Sequence, residues 1–226
     1  MTNSERTRLT EELRPELERS VAEQLAHPFV RGLADGTLAP EPFRHFVRQD
    51  YLFLLAYVRA LALAAARAPT ADTAGRLAGL ARETAEVELA LHRSYAAEWE
   101  ISAKELEREP PARTTLAYTD FLLRTAALEA FGEAAAALLP CMWGYSELGR
   151  RLAGAPRSPE ERYARWVDLY ASADFAELAD WCREVVDDAA AEAGAAQRDR
   201  MREAFRVSSR YELAFWEMAW RREAAL

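Results

Sequence analysis

The sequence predicts an all-α protein, and three observations carry this prediction. The 226 residues include a single isoleucine, Ile101, and only nine valines, whereas Ala, Leu, Glu and Arg are abundant. β-Branched residues favour strands, while Ala, Leu, Glu and Arg are strong helix formers. The breaks in the apolar pattern are short, as in a helical bundle, and no flexible linker divides the chain. We therefore expect one helical domain over residues 1–226.

The charge, the apolar runs and the cysteine content argue against several classes of protein. The 37 acidic and 29 basic residues give a formal charge of −8, and no basic stripe is visible, which argues against a nucleic-acid partner. The longest apolar run without charge, residues 134–146, is shorter than the ~20 residues that span a bilayer. The N-terminus lacks the apolar core of a signal peptide. Two cysteines do not make a disulfide framework, so we expect a cytoplasmic protein.

Proline, glycine and capping residues set the expected helix bounds. Pro15 lies in the first turn of a helix or at a kink, Gly36 is a natural C-terminal residue, and Pro40 opens a long helix. Ser102 and Ser158 each begin a Ser-x-x-Glu pattern typical of a capping box. The expected helices are 10–26, a short one ending at 36, 40–66, 70–100, a short one from 102, 116–127, 129–152, 158–170, 172–194 and 197–222.

The segment from Leu138 to Tyr145 places Cys141 in an apolar helix directly after Pro140. Proline cannot donate to the carbonyl of Ala136, so the helix should bend just before the cysteine. Tyr145 follows Cys141 on the same helical face. The thiol could be a nucleophile in a lined pocket, or an inert core cysteine, which is the commoner case. A helix that ended at Pro140 would place the thiol in a first turn, where the dipole stabilises a thiolate.

Two acids interrupt apolar faces. Asp50 has Phe46 and Phe53 among its neighbours at helical spacing, and Glu212 shares a face with Phe215 and Trp216. Burying an unpaired carboxylate is costly. Asp50 is therefore either satisfied by an arginine or a helix end, or it faces a polar ligand. Glu212 either keeps its carboxyl in water, or it is desolvated with a raised pKa that suits proton transfer.

Other acids carry no such signal. Glu147 lies at ion-pair spacing from Arg150 and Arg151 and is expected on the surface. Three glutamates lie among arginines and are expected to need no special role: Glu83, Glu86 and Glu88.

Most of the aromatic residues, and Cys182, are expected to pack in the hydrophobic core. Tyr163, Trp166 and Tyr170 form a stripe typical of a core, whereas Tyr118 lies on a mixed face that suits a pocket wall. Cys182 has apolar neighbours at helical spacing and is expected to pack.

Metal chemistry is the main competing hypothesis. A di-iron centre in a helical bundle uses Glu-x-x-His pairs from two helices. The three histidines are His27, His45 and His92, and none has a glutamate three residues before it. We therefore expect no metal site and no cofactor.

Six segments, in order along nearly the whole chain, resemble the TenA family of thiaminase II and aminopyrimidine aminohydrolases. They are His27-Pro-Phe with Gly36-Thr-Leu, Arg48-Gln-Asp-Tyr51, Ala117-Tyr-Thr119, Leu139-Pro-Cys-Met-Trp143 with Tyr145, Trp166-Val-Asp-Leu-Tyr170 and Tyr211-Glu-Leu-Ala-Phe-Trp216. The resemblance implies a haem-oxygenase-like helical fold without haem, usually a homotetramer. It also implies hydrolysis of thiamin or its aminopyrimidine breakdown products to hydroxymethylpyrimidine, for thiamin salvage.

The resemblance also implies roles for individual residues. Cys141 would be the nucleophile, Glu212 the acid–base residue at the pyrimidine ring, and Asp50 the partner of the ring's amino group. The expected pocket lining is Phe53, Tyr118, Tyr145, Tyr170 and Phe215. The family often has tyrosine where this chain has Phe53, which removes a possible hydrogen bond. Two alternatives remain: a pyrimidine-binding protein with little turnover, and a metal-dependent oxygenase on the same fold.

Overall fold

The computed structural model describes residues 7–225, which form twelve α-helices and no strand. The all-α prediction is confirmed. The helices are α1 (Leu9–Ala26), α2 (Pro28–Asp35), α3 (Pro40–Ala66), α4 (Ala71–Glu83), α5 (Leu89–Ala97), α6 (Ala103–Leu106), α7 (Arg113–Leu128), α8 (Phe131–Leu139), α9 (Tyr145–Ala153), α10 (Glu161–Tyr170), α11 (Ala173–Glu192) and α12 (Ala195–Arg221). Pro15 lies inside α1.

Two long helices, α3 and α12, form the centre of the bundle. Helix α3 packs against α4, α5, α7 and α12, and α12 also packs against α1 and α8. The core between them is aromatic: the rings of Phe46 and Trp216 stack with centroids 5.1 Å apart, and Phe29 lies 5.2 Å from Trp216. The segments that carry the expected site residues therefore meet around one buried core.

Helix α3 is also the one described helix long and apolar enough to cross a membrane by length and composition. Of its most apolar stretch, 56% is buried inside the bundle. This burial is that of a core helix.

The local signals at helix ends have mixed outcomes. Gly36 ends α2 in the left-handed conformation with φ 80°, and Ser102 and Glu105 form the expected reciprocal capping box. The expected box at Ser158 is wrong, because α10 begins at Glu161 and the Ser158 hydroxyl has no hydrogen-bond partner. Ser158 and Pro159 instead pack over the Gly36 turn, so close that a side chain at Gly36 would lie 2.7 Å from the proline ring.

Two π-helical turns interrupt longer helices. The expected helix from 70 to 100 is divided into α4 and α5 by a π-helical turn at Thr84–Glu88. Helix α8 passes into α9 through a second such turn, Pro140–Gly144. The predicted disturbance at Pro140 therefore takes the form of a π-helical turn, and the helix does not end there. Such turns occur frequently at functional sites.

Close packing fixes α9 against the end of α10. A Cβ atom on Gly149 would lie 2.6 Å from the carbonyl carbon of Tyr170 and 2.7 Å from its oxygen. Backbone atoms cannot move aside as a flexible side chain can. Glycine at this position is therefore required for the approach that sets the position of Tyr170.

We expect Gly149→Ala to destabilise the protein by about 1–3 kcal/mol, because it overpacks a buried helix contact. The matched control is Gly79→Ala in α4, where an added Cβ meets no atom within 4 Å. That change should stabilise by about 0.5–1 kcal/mol, since alanine is the better helix former. Urea unfolding measures both. Equal stability of Gly149→Ala and the parent would contradict the close packing.

Candidate active site

Glu212 lies on α12 with its carboxyl buried against a phenol from α7. The Tyr118 hydroxyl donates a hydrogen bond of 2.6 Å to Glu212 Oε1 and lies 2.8 Å from the Ser208 hydroxyl. Burial raises the pKa of Glu212 to about 8, while hydrogen bonding from Tyr118 and Tyr145 lowers it and the Asp50 charge raises it. Glu212 thus holds a proton at neutral pH in an enclosed site. The desolvated alternative of the sequence analysis is the one observed.

Cys141 lies in the π-helical turn Pro140–Gly144, and its buried thiol is subject to the charges of three acids. The residue is 8% exposed. Burial raises the pKa of its thiol well above its usual value, and the charges of Glu212, Glu88 and Asp50 act in the same direction. The thiol is therefore protonated in the resting protein. No helix N-terminus offsets this effect, because α8 continues into the turn.

Asp50, on α3, is paired with a histidine from α5. His92 Nε2 lies 2.7 Å from Asp50 Oδ2 in a fully buried contact. The oxygen lies off the axis of the N–H bond, so this is an ion pair and not an aligned hydrogen bond. Desolvation lowers the pKa of His92, but Asp50 and Glu88 outweigh it and the net shift is upward. The arginine or helix end expected for Asp50 is replaced by this histidine.

The histidine is oriented by the backbone of Glu88. His92 Nδ1 lies 2.8 Å from the Glu88 carbonyl oxygen. A carbonyl can only accept, so Nδ1 carries a proton and Nε2 is the atom that faces Asp50. This fixed ring holds the Asp50 carboxylate in place at the centre of the core.

The expectation that Glu88 needs no special role is wrong. Its carboxyl is buried, at 8% exposure, and accepts a 3.0 Å hydrogen bond from the Tyr170 hydroxyl. Burial raises the pKa of Glu88 to about 7; Tyr170 and His92 lower it, while Asp50 raises it. Glu88 lies four residues after Thr84 and four before His92, and all three are buried, whereas Glu86 and Val87 are exposed.

Aromatic rings enclose these polar groups. Phe53 lies 4.9 Å from Tyr118 and 5.7 Å from Phe215, while Tyr145 lies 4.9 Å from Tyr170, between ring centroids. All five are buried. The Tyr145 phenol has its pKa raised by burial and then by Glu212 and Asp50. Tyr170, which was expected only to pack and to line a pocket, also donates to Glu88.

The structure therefore brings all eight predicted site residues into one cluster: Cys141, Glu212, Asp50, Phe53, Tyr118, Tyr145, Tyr170 and Phe215. It adds three polar residues that the sequence analysis missed: Glu88, His92 and Ser208. One signal could have found two of them, because Glu88 and His92 are four residues apart and His92 is flanked by Leu89, Tyr95 and Ala96 on its own face.

The second cysteine, Cys182, lies outside the acid cluster. Cys182 packs against the core beside Trp181 and lines a small apolar cavity. Burial raises the pKa of its thiol to about 12.

Within residues 7–225, no group of three or more His, Cys, Asp or Glu side chains is arranged to hold a metal ion.

Comparison with known proteins assigns the family. The model of the TENA/THI-4/PQQC family matches residues 14–222, nearly the whole chain. This chain belongs to the TENA/THI-4/PQQC family. The matched range contains every polar residue of the cluster described above.

Two bacterial relatives of this TENA-family chain carry an enzyme name. An aminopyrimidine aminohydrolase of Halalkalibacterium halodurans is 40% identical, over 86% of this chain and 87% of the relative. The aminopyrimidine aminohydrolase of Bacillus subtilis is 38% identical, over 87% of this chain and 83% of the relative.

Solved structures agree with the family fold. A TenA homologue from P. horikoshii OT3 superposes with a TM-score of 0.86 at 33% identity, covering 95% of this chain and 99% of that one. A Shewanella denitrificans domain with a heme oxygenase-like fold superposes with a TM-score of 0.72, covering 94% and 92%. At 12% identity the latter comparison concerns the fold alone. The expected haem-oxygenase-like fold is confirmed.

The buried proton on Glu212 should make stability depend on pH. Its pKa rises from an ordinary 4.5 to about 8 on folding, so the folded state binds the proton more tightly. The stabilisation from this bound proton is complete below pH 4.5 and is lost as the pH rises through 8. For one such group the free energy of unfolding falls by about 1.4 kcal/mol per pH unit in this range. Glu212→Gln should therefore lose less stability than the parent between pH 5.5 and 8.5.

Urea unfolding at the two pH values measures this difference. Glu203→Gln is the matched control, because it changes an exposed carboxyl on the same helix and should keep the parent's pH dependence. The same pH dependence in Glu212→Gln and the parent would show that Glu212 titrates normally.

Proposed function

We propose that this protein is an aminopyrimidine aminohydrolase that acts in thiamin salvage, with Cys141 as its nucleophile. The observation that supports this most strongly is the juxtaposition of a buried thiol with a buried, proton-carrying Glu212 in a chain 40% identical to a named aminopyrimidine aminohydrolase. The substrate is an aminopyrimidine such as 4-amino-5-aminomethyl-2-methylpyrimidine, or thiamin, and the product is 4-amino-5-hydroxymethyl-2-methylpyrimidine.

The site matches the chemistry of this ring. An aminopyrimidine is flat and electron-poor, and one edge carries N–H donors and a ring nitrogen. Aromatic walls such as Phe53 and Tyr145 bind its faces, and carboxyl groups bind its edge. The Asp50 carboxylate, held by His92, accepts from the exocyclic amino group. Phe53 offers no hydrogen bond, so it contributes a purely apolar wall.

The proposed reaction begins with proton transfer to the ring. Glu212 protonates a ring nitrogen, which makes a ring carbon electrophilic. The Cys141 sulfur adds to that carbon as its proton passes to a neighbouring carboxylate. The exocyclic methylene then expels its amine or thiazole, water adds to the methylene, and the thiol is released as the ring regains aromaticity. No metal or organic cofactor enters this scheme.

The family resemblance completes the proposal with a setting and an assembly. It implies a homotetramer, and a reducing cytoplasm suits a protein whose two cysteines are both free thiols.

Replacing the nucleophile should abolish the reaction and leave the fold intact. We expect Cys141→Ala and Cys141→Ser to release no hydroxymethylpyrimidine from aminomethylpyrimidine or thiamin, as measured by chromatography. Cys182→Ala is the matched control and should keep the parent rate, because Cys182 packs beside Trp181, outside the acid cluster. Turnover by Cys141→Ala at the parent rate would refute the nucleophile.

Two further measurements, a melting experiment and a metal analysis, separate the alternative functions. A pyrimidine-binding protein would be stabilised by the pyrimidine in a melting experiment without forming product. A metal-dependent oxygenase would contain stoichiometric iron or manganese in the purified protein. Either result in place of hydroxymethylpyrimidine release would overturn the proposed hydrolase.

A further inference from the structure

We propose that Glu88 is a second catalytic acid of this site, and that it protonates the amine leaving group. This inference rests on the proposed hydrolase function and extends it with a residue and a selectivity. It arises from the position of Glu88 between the buried acid cluster and a groove that opens to the surface.

The first observation is the placement of the carboxyl. Glu88 ends the π-helical turn Thr84–Glu88, and the Tyr170 hydroxyl donates to its Oε2 at 3.0 Å. Its charge, with those of Asp50 and Glu212, raises the pKa of the Cys141 thiol. Glu88 is thus part of the same enclosed electrostatic environment as the reacting groups. A pKa of about 7 supports a group that both gives and takes a proton at neutral pH.

The second observation is the groove. Its lining includes Glu88, Thr84, Met142, Leu169 and Phe175. Met142 adjoins Cys141 in the chain, whereas Asp50, Cys141 and Glu212 are not part of the lining. Glu88 is therefore the acid of the cluster that also reaches the groove. A leaving group that departs toward the surface along this groove passes its carboxyl.

The charge of the groove favours a cationic passenger. Its other charged lining residues are Glu83, Asp174, Glu177 and Arg76. The Arg76 guanidinium lies over the Trp181 ring, 4.4 Å from the centroid. Three carboxylates against one engaged guanidinium attract an ammonium ion or a thiazolium-bearing substrate. Ammonia leaves the reaction as a base and becomes ammonium in water.

The other acids have competing partners. Asp50 already faces the His92 ring, whose Nε2 lies 2.7 Å from its Oδ2, and it does not line the groove. Glu212 is held by Tyr118 and is assigned to the ring nitrogen. Glu88 is the remaining acid of the cluster that is buried, protonatable and adjacent to the exit.

The proposed step balances in atoms and charge. The Glu88 carboxylic acid gives its proton to the exocyclic amine nitrogen as the carbon–nitrogen bond breaks, and the bonding electron pair leaves with nitrogen as ammonia. Water then bonds through oxygen to the methylene carbon, and its proton passes to the Glu88 carboxylate. The acid is thereby restored, and the net change is amine plus water to alcohol plus ammonia.

This role predicts selectivity between leaving groups. Thiazole leaves thiamin as a neutral molecule, because its quaternary nitrogen accepts the electron pair without a proton. The hydrolysis of thiamin should therefore depend little on Glu88. An anilinomethyl analogue of the pyrimidine tests the same point, because aniline is a much weaker base than ammonia and departs more readily without a proton.

The experiment compares kcat/KM of Glu88→Gln and the parent for aminomethylpyrimidine, the anilinomethyl analogue and thiamin. General acids contribute about 100-fold or more, so we expect a loss of about 100-fold for aminomethylpyrimidine and about 3-fold or less for the other two. Glu88→Asp, which keeps the acid, should recover part of the loss. Glu86→Gln is the matched control, because it changes an exposed carboxyl in the same turn.

Each outcome decides one question. Equal losses for all three substrates, or no loss, would overturn the role of Glu88, since a merely structural residue would not distinguish leaving groups. If Glu88→Gln does not fold, the same comparison is made with Glu88→Asp alone, where a uniform loss is again contrary. A parent protein that releases product from none of the substrates would overturn the proposed function itself.

Discussion

The constraint on which the site depends is the removal of three carboxyl groups from water within an aromatic core. Burying an unpaired carboxylate costs several kcal/mol in effect. The protein meets this cost differently at each position. Asp50 lies 2.7 Å from the His92 ring nitrogen, whereas burial raises the pKa of Glu212 and of Glu88, and their carboxyls accept hydrogen bonds from Tyr118 and Tyr170. One environment thus yields a carboxyl paired with an imidazole and two proton carriers, which are the groups that the proposed ring chemistry requires.

Two residues of the cluster lie in π-helical turns. Thr84–Glu88 and Pro140–Gly144 each interrupt an otherwise continuous helix, and each carries a group of the cluster, Glu88 or Cys141. A π-helical turn adds a residue to the turn and changes the face on which the following side chains lie. The local loss of regular hydrogen bonding is tolerated because both turns are packed against neighbouring helices, α3 and α11 among them.

Much of this arrangement could be predicted from the sequence, and the rest could not for a definite reason. Composition predicted the all-α fold, and helical spacing selected Asp50 and Glu212 because their neighbours are apolar. Glu88 was set aside because it lies among arginines, Arg82 and Arg93. Its four-residue spacing to Thr84 and His92, which are both buried, is the signal that was not used. Helical spacing also could not pair Asp50 with His92, since two helices distant in sequence contribute them. The capping box expected at Ser158 is also wrong for a long-range reason. Ser158 and Pro159 pack over the Gly36 turn, a contact between segments distant in sequence that a local pattern does not contain.

The most direct test of the account is a crystal structure with the product, 4-amino-5-hydroxymethyl-2-methylpyrimidine, bound to the Cys141→Ser protein. We expect the ring between the walls of Phe53 and Tyr145, with its amino group on Asp50, a ring nitrogen on Glu212 and the residue-141 side chain facing a ring carbon. A pyrimidine bound elsewhere, with an unchanged acid cluster that holds no ligand, would contradict it.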